Sequence, residues 1–237
     1  MLVGFLMKLA IMQPYFFPYI GYWQLINAVD KYVVYDDVTY IKGGWISRNN
    51  ILLNNSKHML TLPLVSPSSF KKINEIDITK EIKMKEKVIK TIKTAYLKAP
   101  YYKDIIPFIE RLFDSNTNIA TLNYNAILEI NNYLEITTEV LLSSAIEKDN
   151  SLKGQDKVLH INKVLGADIY INAIGGKKLY SKDKFEEKNI KLFFLQTGDI
   201  KYKQYNDEFI PNLSIIDVLM FNDKKKIQDF LNNYTLI

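Results

Sequence analysis

The sequence contains no cysteine and only two histidines, His58 and His160, which lie far apart in the chain. Without cysteine there is no disulfide framework, no thiol nucleophile and no cysteine-ligated metal. Two distant histidines also argue against a histidine-rich metal centre, so we expect no metal site. Any chemistry must come from other side chains and from backbone groups.

Long hydrophobic runs are missing as well, since no window approaches the roughly 18 consecutive apolar residues of a membrane span. The apolar run at the start of the chain is too short for a signal peptide and lacks a basic beginning. We therefore expect a cytoplasmic protein without a membrane partner. Because Met7 and Lys8 directly precede the first predicted strand, residues 1–6 are treated as an extension, and either Met1 or Met7 could be the natural start.

The chain does contain enough apolar material for a large core, with 48% hydrophobic residues among 237. Its formal net charge of +5 comes from 31 basic and 26 acidic residues that are interspersed along the sequence. That pattern is typical of a solvated surface and gives little support to nucleic-acid binding. A mildly basic protein suits anionic small substrates such as nucleotide sugars. The oligomeric state stays open.

Apolar periodicity predicts a βαβ unit at the start of the chain. The pattern indicates a strand over Leu9–Met12, a helix over Tyr19–Ala28 and a second strand over Tyr32–Tyr35. In a parallel sheet both strands end at the same edge, which is where α/β proteins bind ligands.

The rest of the chain adds a hairpin, further strands and a helical segment. Two apolar runs around an asparagine-rich turn predict a hairpin, and the alternation over Ile73–Ile78 predicts another strand. Helical spacing dominates from about 82 to 135, and the pattern then returns to strand, helix, strand and strand. We therefore predict a single α/β domain, residues 1–237. It would have a mostly parallel Rossmann-like sheet, a β-hairpin insertion and a helical segment at about 82–135 inserted in or packed on the sheet.

The most unusual segment is Met12–Trp23, which holds six aromatic residues and two prolines between the first strand and the first helix. Prolines fix the backbone there, and the unpaired N–H groups at a helix start can bind an anion. Gln13, Tyr15, Tyr19 and Tyr22 are therefore candidate substrate-binding residues. The alternative is an aromatic cluster that caps the core.

The order of strand, proline, x-Gly-x at a helix start and a strand ending in acidic residues is the layout of HIGH-type nucleotidyltransferases. Tyr19-Ile20-Gly21-Tyr22 takes the place of their His-x-Gly-His. A tyrosine donates a hydrogen bond but cannot supply the charge of an imidazolium. This fold-level analogy favours nucleotide binding and argues against nucleotidyl transfer.

Three residues are candidates for moving a proton. Asp36 and Asp37 follow the second strand, and strand alternation directs them to opposite faces, so only one would enter a pocket. His160 is the third candidate, since it is the one imidazole near the expected site. The alternatives are a solvated strand end for the aspartates and a satisfied core or boundary position for the histidine.

A glycine-containing loop supplies a further set of candidate binding residues. Lys42 and Arg48 flank Trp45, so the loop could hold a phosphate between its cations and stack a ring on the indole, with Asn49 directly after it. The planar fork of Arg48 makes it the sharper candidate. The alternative is a surface ion pair beside a packing tryptophan.

A second glycine pair follows a predicted strand in the later half of the chain. Asn172, Gly175 and Gly176 would place one amide side chain and two pliable backbone amides at the edge of the sheet. The spacing is not that of a dinucleotide-binding fingerprint. A turn that needs glycine for its backbone conformation is the alternative.

Taken together, five motifs resemble those of the WbqC-like family of bacterial proteins, over about Met7 to Phe221. Ser47 stands where the family pattern has asparagine. The motifs are Met12-Gln13-Pro14-Tyr15-Phe16-Phe17-Pro18-Tyr19-Ile20-Gly21-Tyr22, Tyr35-Asp36-Asp37-Val38, Gly44-Trp45-Ile46-Ser47-Arg48-Asn49, Leu165-Gly166-Ala167-Asp168-Ile169-Tyr170 with Gly175-Gly176, and Leu213-Ser214-Ile215-Ile216-Asp217.

The resemblance implies a role in O-antigen, lipopolysaccharide or other surface-polysaccharide biosynthesis. It implies a transferase that attaches an aminoacyl group, such as glycine, to the amino group of a nucleotide-linked amino sugar. The donor stays open between ATP with an amino acid and an activated aminoacyl donor, and a charged tRNA is the one nucleic acid retained as a partner. Two alternatives also stay open: an ATP-dependent adenylating or nucleotidyl transferase, and a non-catalytic sugar-nucleotide binding or scaffold protein.

Overall fold

The computed structural model describes residues 6–115 and 117–237, so residues 1–5 of the expected extension lie outside the described part of the chain. Within that part the chain forms eight strands and eight α-helices. The strands are β1 (Lys8–Met12), β2 (Lys31–Val34), β3 (Arg48–Leu53), β4 (Ser56–Thr61), β5 (Glu139–Leu142), β6 (Ile169–Ala173), β7 (Lys191–Thr197) and β8 (Tyr234–Leu236). The helices are α1 (Ile20–Asn27), α2 (Ile82–Tyr96), α3 (Tyr102–Ser115), α4 (Ile119–Leu134), α5 (Gly154–Leu165), α6 (Lys182–Glu186), α7 (Ile215–Phe221) and α8 (Lys224–Leu231).

Six strands form one sheet in the order β5-β2-β1-β6-β7-β8, and β3 pairs with β4 in a separate antiparallel hairpin. Neighbours in the large sheet are parallel except for β7 and β8. With the hairpin set aside, the parallel strands follow the order third, second, first, fourth, fifth, which is the order of Rossmann-like sheets. The predicted α/β class, the mostly parallel sheet and the hairpin are confirmed.

The side chains of the sheet alternate between two apolar cores. On one face, Leu9 and Ile11 pack with residues of α5 and α6, among them Ile161 and Phe185. On the other face, Ala10 belongs to a larger core that includes α1 to α4, α7, α8 and the hairpin. Because helices cover both faces, the edge at which the strands end is the place left for polar chemistry.

The helical segment consists of α2, α3 and α4. Asn118 caps α4 by accepting a hydrogen bond from the Ala120 N–H at 2.9 Å. Helix α3 continues through Pro107, so the proline lies in its second turn rather than at its start. Within the described residues no helix is long and apolar enough to cross a membrane.

The strand predicted over Ile73–Ile78 is wrong. A short 3-10 helix occupies Ile73–Glu75, and the backbone N–H groups of Ile73 and Asn74 bond to the carbonyls of Val38 and Asp36. The isoleucines of this segment are buried as expected. Their backbone N–H groups bond to the carbonyls of Val38, of Ile73 within the 3-10 turn and of Thr117, and not to one neighbouring strand. The spacing of the isoleucines therefore indicates burial and does not indicate a strand.

Candidate functional site

Five parallel strands end at one edge of the sheet, and a loop follows each of them. The loops begin with residues 13–19 after β1, residues 36–37 after β2 and residues 143–145 after β5. Residues 174–176 follow β6, and residues 198–213 follow β7. Ligands of Rossmann-like sheets bind at this edge, so these loops form the candidate site.

Residues 13–19, the aromatic turn, are held in a strained conformation by buried polar side chains. Phe17 has a φ of 41°, a left-handed conformation that is rare for a bulky residue. The Nδ2 group of Asn49 donates to the carbonyls of Phe16 at 3.1 Å and Phe17 at 2.9 Å. The hydroxyl of Ser214 donates to the Phe17 carbonyl at 2.7 Å. Strain of this kind persists where the surroundings determine it, and it clusters at ligand sites.

The start of α1 brings a helix N-terminus and two hydroxyl groups together. Tyr19 precedes the helix without a capping side-chain hydrogen bond, and the first turn has no acidic residue. The Tyr19 side chain folds over Gly21, where a Cβ would lie 2.5 Å from Tyr19 Oη and would also collide with Thr197 Oγ1. A larger residue at this position would have to displace the hydroxyls of Tyr19 and Thr197, which occupy the space of its side chain.

A cavity of about 530 Å³ opens beside these hydroxyls. Its polar side chains include Asp199 and Lys201, which are exposed and form an ion pair at 3.2 Å. A volume of this size falls within the roughly 300–1,000 Å³ that small-molecule sites occupy. The walls of the cavity are Tyr19, Ile20, Ile174, residues 196–202, Phe209, residues 211–213 and Val218.

Asp217 fixes one wall of this cavity from beneath. Its fully buried carboxylate accepts hydrogen bonds from Tyr202 Oη at 2.7 Å, Gln204 Nε2 at 2.7 Å and Tyr96 Oη at 2.9 Å. Gln204 also exchanges hydrogen bonds with the backbone of Ile210. Burial raises the pKa of Asp217, although the three donors act against that effect. Because Tyr202 lines the cavity, Asp217 holds the loop after β7 in place.

Asn233 anchors the beginning of the same loop. Its backbone carbonyl accepts from the N–H of Gly198 at 2.9 Å and from Gln24 Nε2 at 2.8 Å. Its side chain donates to the carbonyl of Asp199 at 3.0 Å. A side chain on Gly198 would meet Asn233 Cγ at 2.8 Å, so glycine allows this close approach.

Asp36 is buried and fully hydrogen-bonded. Its Oδ1 accepts from the N–H of Ser144 at 2.9 Å, and its Oδ2 accepts from the Ser144 hydroxyl at 2.6 Å and from Asn74 Nδ2 at 3.2 Å. These contacts join the end of β2 to the turn after β5 and to the 3-10 helix. Asp36 therefore holds three loops together at the edge of the sheet where the candidate site lies.

Asp37 lies in a buried cluster with two lysines. Its Oδ2 contacts Lys157 Nζ at 2.9 Å and Lys148 Nζ at 3.0 Å, and the three side chains are 8% exposed or less. Burial alone would raise the pKa of Asp37, but contacts with Ser143, Lys157 and Lys148 hold it below its usual value. Lys157 Nζ also lies 5.4 Å from the ring centre of Tyr35. The cluster carries a net positive charge with little access to water.

His160 lies on α5, three residues after Lys157. It is half-buried, and its Nε2 accepts a hydrogen bond from the backbone N–H of Asp149 at 3.1 Å. That contact orders the loop before α5.

Asn172 and Gly176 meet at the end of β6. A Cβ on Gly176 would lie 3.2 Å from the carboxamide of Asn172, whereas one on Gly175 would meet nothing within 4 Å. Asn172 Nδ2 donates to Tyr170 Oη at 3.0 Å, and its Oδ1 accepts from the backbone N–H of Ala173 at 2.7 Å. Gly176 therefore serves packing against Asn172, while Gly175 is exposed.

Tyr22 packs against the aromatic turn, and neither it nor Tyr15 and Gln13 of the turn lines the cavity. The buried Tyr22 hydroxyl donates to the Gln13 carbonyl at 2.9 Å, and its ring centre is 5.8 Å from that of Tyr15. Burial raises the pKa of Tyr22 and of Tyr15. Of the two tyrosines at the HIGH-like positions, Tyr19 lines the cavity and Tyr22 supports the turn.

The side chain of Arg48 has no hydrogen-bond or ion-pair partner among the described residues. Its Nε is buried and unpaired, and its guanidinium lies beneath Gly43, where a Cβ would be 3.6 Å from an Nη atom. Gly43 has a φ of 72°, which suits glycine. Trp45 is half exposed, and Lys42 is exposed beside it. A partly buried arginine without an acceptor indicates room for an anion.

A second depression, of about 660 Å³, lies on the surface between α3 and α4, away from the strand ends. Within residues 6–115 and 117–237 no group of three or more His, Cys, Asp or Glu side chains is arranged to hold a metal ion.

A family comparison covers the aromatic turn and almost all of the structure. The model of the WbqC-like protein family matches residues 13–229. The chain belongs to the WbqC-like protein family. One relative is the uncharacterized protein Rv1507c of Mycobacterium tuberculosis (strain ATCC 25618 / H37Rv). It is 27% identical over 230 residues, which is 94% of this chain and 97% of the relative. No solved structure matches the chain significantly.

Several residues of this candidate site were not predicted from the sequence. Lys157 had a signal, because it lies four residues before the buried Ile161 on the apolar face of α5. Asp217 had one too, as a single acid within an apolar helix. Lys148, Asp199 and Lys201 lie in loops without a motif, and only the folded chain brings them to the strand ends.

Proposed function

We propose that the protein is a transferase that acylates the amino group of a nucleotide-linked amino sugar, with an aminoacyl group such as glycine, in surface-glycan biosynthesis. The observation that carries the proposal is the cavity of about 530 Å³ at the start of α1 and the end of β7. It supports binding of a nucleotide sugar because it lies at the ligand-binding edge of a Rossmann-like sheet. WbqC-like family membership supports the surface-glycan setting inferred from the sequence.

The diphosphate of such a substrate fits the start of α1. The helix offers N–H groups without a side-chain cap, and the hydroxyls of Tyr19 and Thr197 lie beside them. Lys201 supplies a positive charge from the loop after β7. An anion at this position would take Lys201 from its exposed ion pair with Asp199, which is worth little in water.

The reaction we propose is attack of the sugar amine on the acyl carbon of an activated donor. The C–N bond forms while the bond from the acyl carbon to the leaving group breaks, and the leaving group departs with the electron pair. The amine then gives up one proton to a carboxylate or to water. Asp199 lines the cavity and is our first candidate for accepting it.

The three residues that the sequence predicts for proton transfer have different roles in this proposal. Asp37 is a weak base because contacts with Ser143, Lys157 and Lys148 hold its pKa low. Asp36 and His160 both accept hydrogen bonds from backbone N–H groups, so we propose that they position the loops around the acceptor. Asn172, Gly175 and Gly176 would form the β6 side of the substrate site.

The test is a mass measurement on a defined acceptor. The protein is incubated with a nucleotide-linked 4-amino-4,6-dideoxyhexose and either glycine with ATP or glycyl-tRNA, and a gain of one glycyl group is expected. The matching 4-hydroxy sugar nucleotide is the control, since it lacks the amine. No product with any donor would reject the activity.

Variants link any activity to the cavity. Lys201→Met and Tyr19→Phe should weaken sugar-nucleotide binding, while Lys182→Met, at an exposed position at the start of α6, should not. Tight binding without turnover would favour the scaffold alternative. Pyrophosphate release from ATP without glycyl transfer to the sugar would favour an adenylating enzyme.

A further inference from the structure

One stretch of the sequence holds basic residues and no acidic residue. Between Asp37 and Glu75 there is no acidic residue, while five of the 31 basic residues lie there. These five residues give the stretch a net charge of +5, and the lysine-rich run over Lys80–Lys98, with seven lysines and two glutamates, carries the same net charge. The stretch includes the Arg48 loop and the hairpin.

Two loops of this stretch lie side by side. The N–H of Tyr40 donates to the carbonyl of Lys71 at 2.9 Å, and Thr39 forms a β-bridge with Lys72. We call the surface made by residues 41–45 and 65–72 the basic platform. Its position next to the aromatic turn follows from the hydrogen bond between the Phe16 N–H and the Trp45 carbonyl at 2.9 Å.

The basic platform exposes apolar side chains that a globular protein usually covers. Phe70 is 99% exposed, and Ile41 and Trp45 are 52% and 46% exposed. Lys42, Lys71 and Lys72 are exposed on the same loops. Among the described residues none of these lysines forms an ion pair.

Aromatic faces interleaved with unpaired cations suit one class of ligand. Single-stranded nucleic acids bind by stacking bases on aromatic side chains while basic residues follow the phosphates. Arg48 adds an unpaired guanidinium beneath Gly43, three residues after Trp45. A duplex hides its base faces and so would not engage Phe70 or Trp45.

We propose that the basic platform binds the single-stranded 3′ end of an aminoacyl-tRNA, which would deliver the activated aminoacyl group. The choice of an aminoacyl-tRNA over other single strands rests on the proposed function. The platform lies beside the aromatic turn, which leads into the cavity at Tyr19. The acyl end of a bound strand would thus be near the sugar amine.

The experiment measures binding of a fluorescent single-stranded RNA ending in CCA, by polarisation over a range of salt concentrations. Phe70→Ser should weaken binding by about fivefold or more, since one stacked base is lost. Lys71→Gln with Lys72→Gln should reduce the slope of log K against log salt by about 1.4, for two phosphate contacts.

Matched controls make the test specific. Leu179→Ser removes another exposed apolar side chain, and Lys83→Gln with Lys87→Gln removes two exposed cations from α2. Neither should change RNA binding. Phe70 is almost fully exposed, so its variant should fold as the wild type does.

Several outcomes would overturn the inference: no RNA binding, equal loss in the control variants, or equal binding of a duplex of the same sequence. Binding of phosphatidylglycerol vesicles with the same variant dependence would identify a membrane surface instead. RNA binding without glycyl transfer would leave the platform standing while the proposed function fails. Glycyl transfer from glycine and ATP without RNA binding would support the proposed function and reject RNA binding by the basic platform.

Discussion

The buried cluster of Asp37, Lys148 and Lys157 yields the sharpest stability prediction. In the wild type, Asp37 Oδ2 lies 2.9 Å from Lys157 Nζ and 3.0 Å from Lys148 Nζ. Asp37→Asn removes this carboxylate, which is the one that pairs with either ammonium group among the described residues. Removing one partner of a buried ion pair costs about 3–5 kcal/mol, because the other charge stays buried and uncompensated. We expect Asp37→Asn to lower the free energy of unfolding by that amount.

Urea unfolding followed by tryptophan fluorescence measures this loss as a shift of the midpoint at unchanged slope. Lys31→Met is the matched control, because it breaks an ion pair with Glu139 at 3.2 Å whose side chains are 31% and 54% exposed. Such exposed pairs contribute about 0–1 kcal/mol. If Asp37→Asn cost no more than Lys31→Met, the burial argument would be refuted.

The two lysines should differ in importance. Lys148 Nζ also donates to the part-buried carbonyls of Ser143 and Ile146, so its removal breaks two hydrogen bonds in addition to the ion pair. Lys157 has only the ring of Tyr35 besides Asp37. Lys157→Met should therefore destabilise the protein less than Lys148→Met, and the reverse order in the same unfolding assay would contradict this account.

Three further predictions concern pH, the cavity and the aromatic turn. Contacts with the lysines hold the pKa of Asp37 below its usual value, so the stability advantage of wild type over Asp37→Asn should be full near pH 7 and shrink below a pH of about 4. Urea titrations across pH would show an unchanged difference if this is wrong. Gly21→Ala should weaken sugar-nucleotide binding in calorimetry by crowding the two cavity hydroxyls, whereas Lys182→Met at an exposed position of α6 should not, and equal effects would reject the crowding. Asn49→Ala should cost about 1–3 kcal/mol in urea unfolding, since the buried Phe16 carbonyl loses its side-chain donor and the Phe17 carbonyl keeps only that of Ser214. Asn27→Ala should cost less, because it removes a surface hydrogen bond of 3.4 Å to Asn232.

The order of strands and helices was largely predictable because it depends on local periodicity. The strand ends and the hairpin turn followed from apolar runs and asparagines, and they lie where expected. The short elements α6, α8 and β8 were missed. Helix α8 did have a signal, because its apolar residues lie on one face and Asp223 caps it by accepting from the Lys226 N–H at 2.7 Å. The strand predicted over Ile73–Ile78 was wrong because the apolar pattern of this segment reflects burial by several loops.

The candidate site was predictable only in part. The sequence marks which loops follow the strands, so Tyr19 and the edge after β6 could be anticipated. The cavity itself depends on residues 196–213, which carry no recognisable spacing and reach the start of α1 through the sheet order. The unpaired state of Arg48 and the ion cluster of Asp37 are also properties of the folded chain. The roles proposed for these side chains stay predictions.

The anchoring of the cavity by Asn233 has a consequence for biosynthesis. The loop after β7 is tied at Gly198 and Asp199 to a residue more than thirty positions later, and the same residue is tied to Gln24 in α1. A nascent chain still on the ribosome cannot close this wall until Asn233 has emerged from the exit tunnel. The ligand site would therefore be completed only after Asn233 has been synthesised, and proteolytic trimming just before Asn233 should abolish binding while sparing most of the sheet.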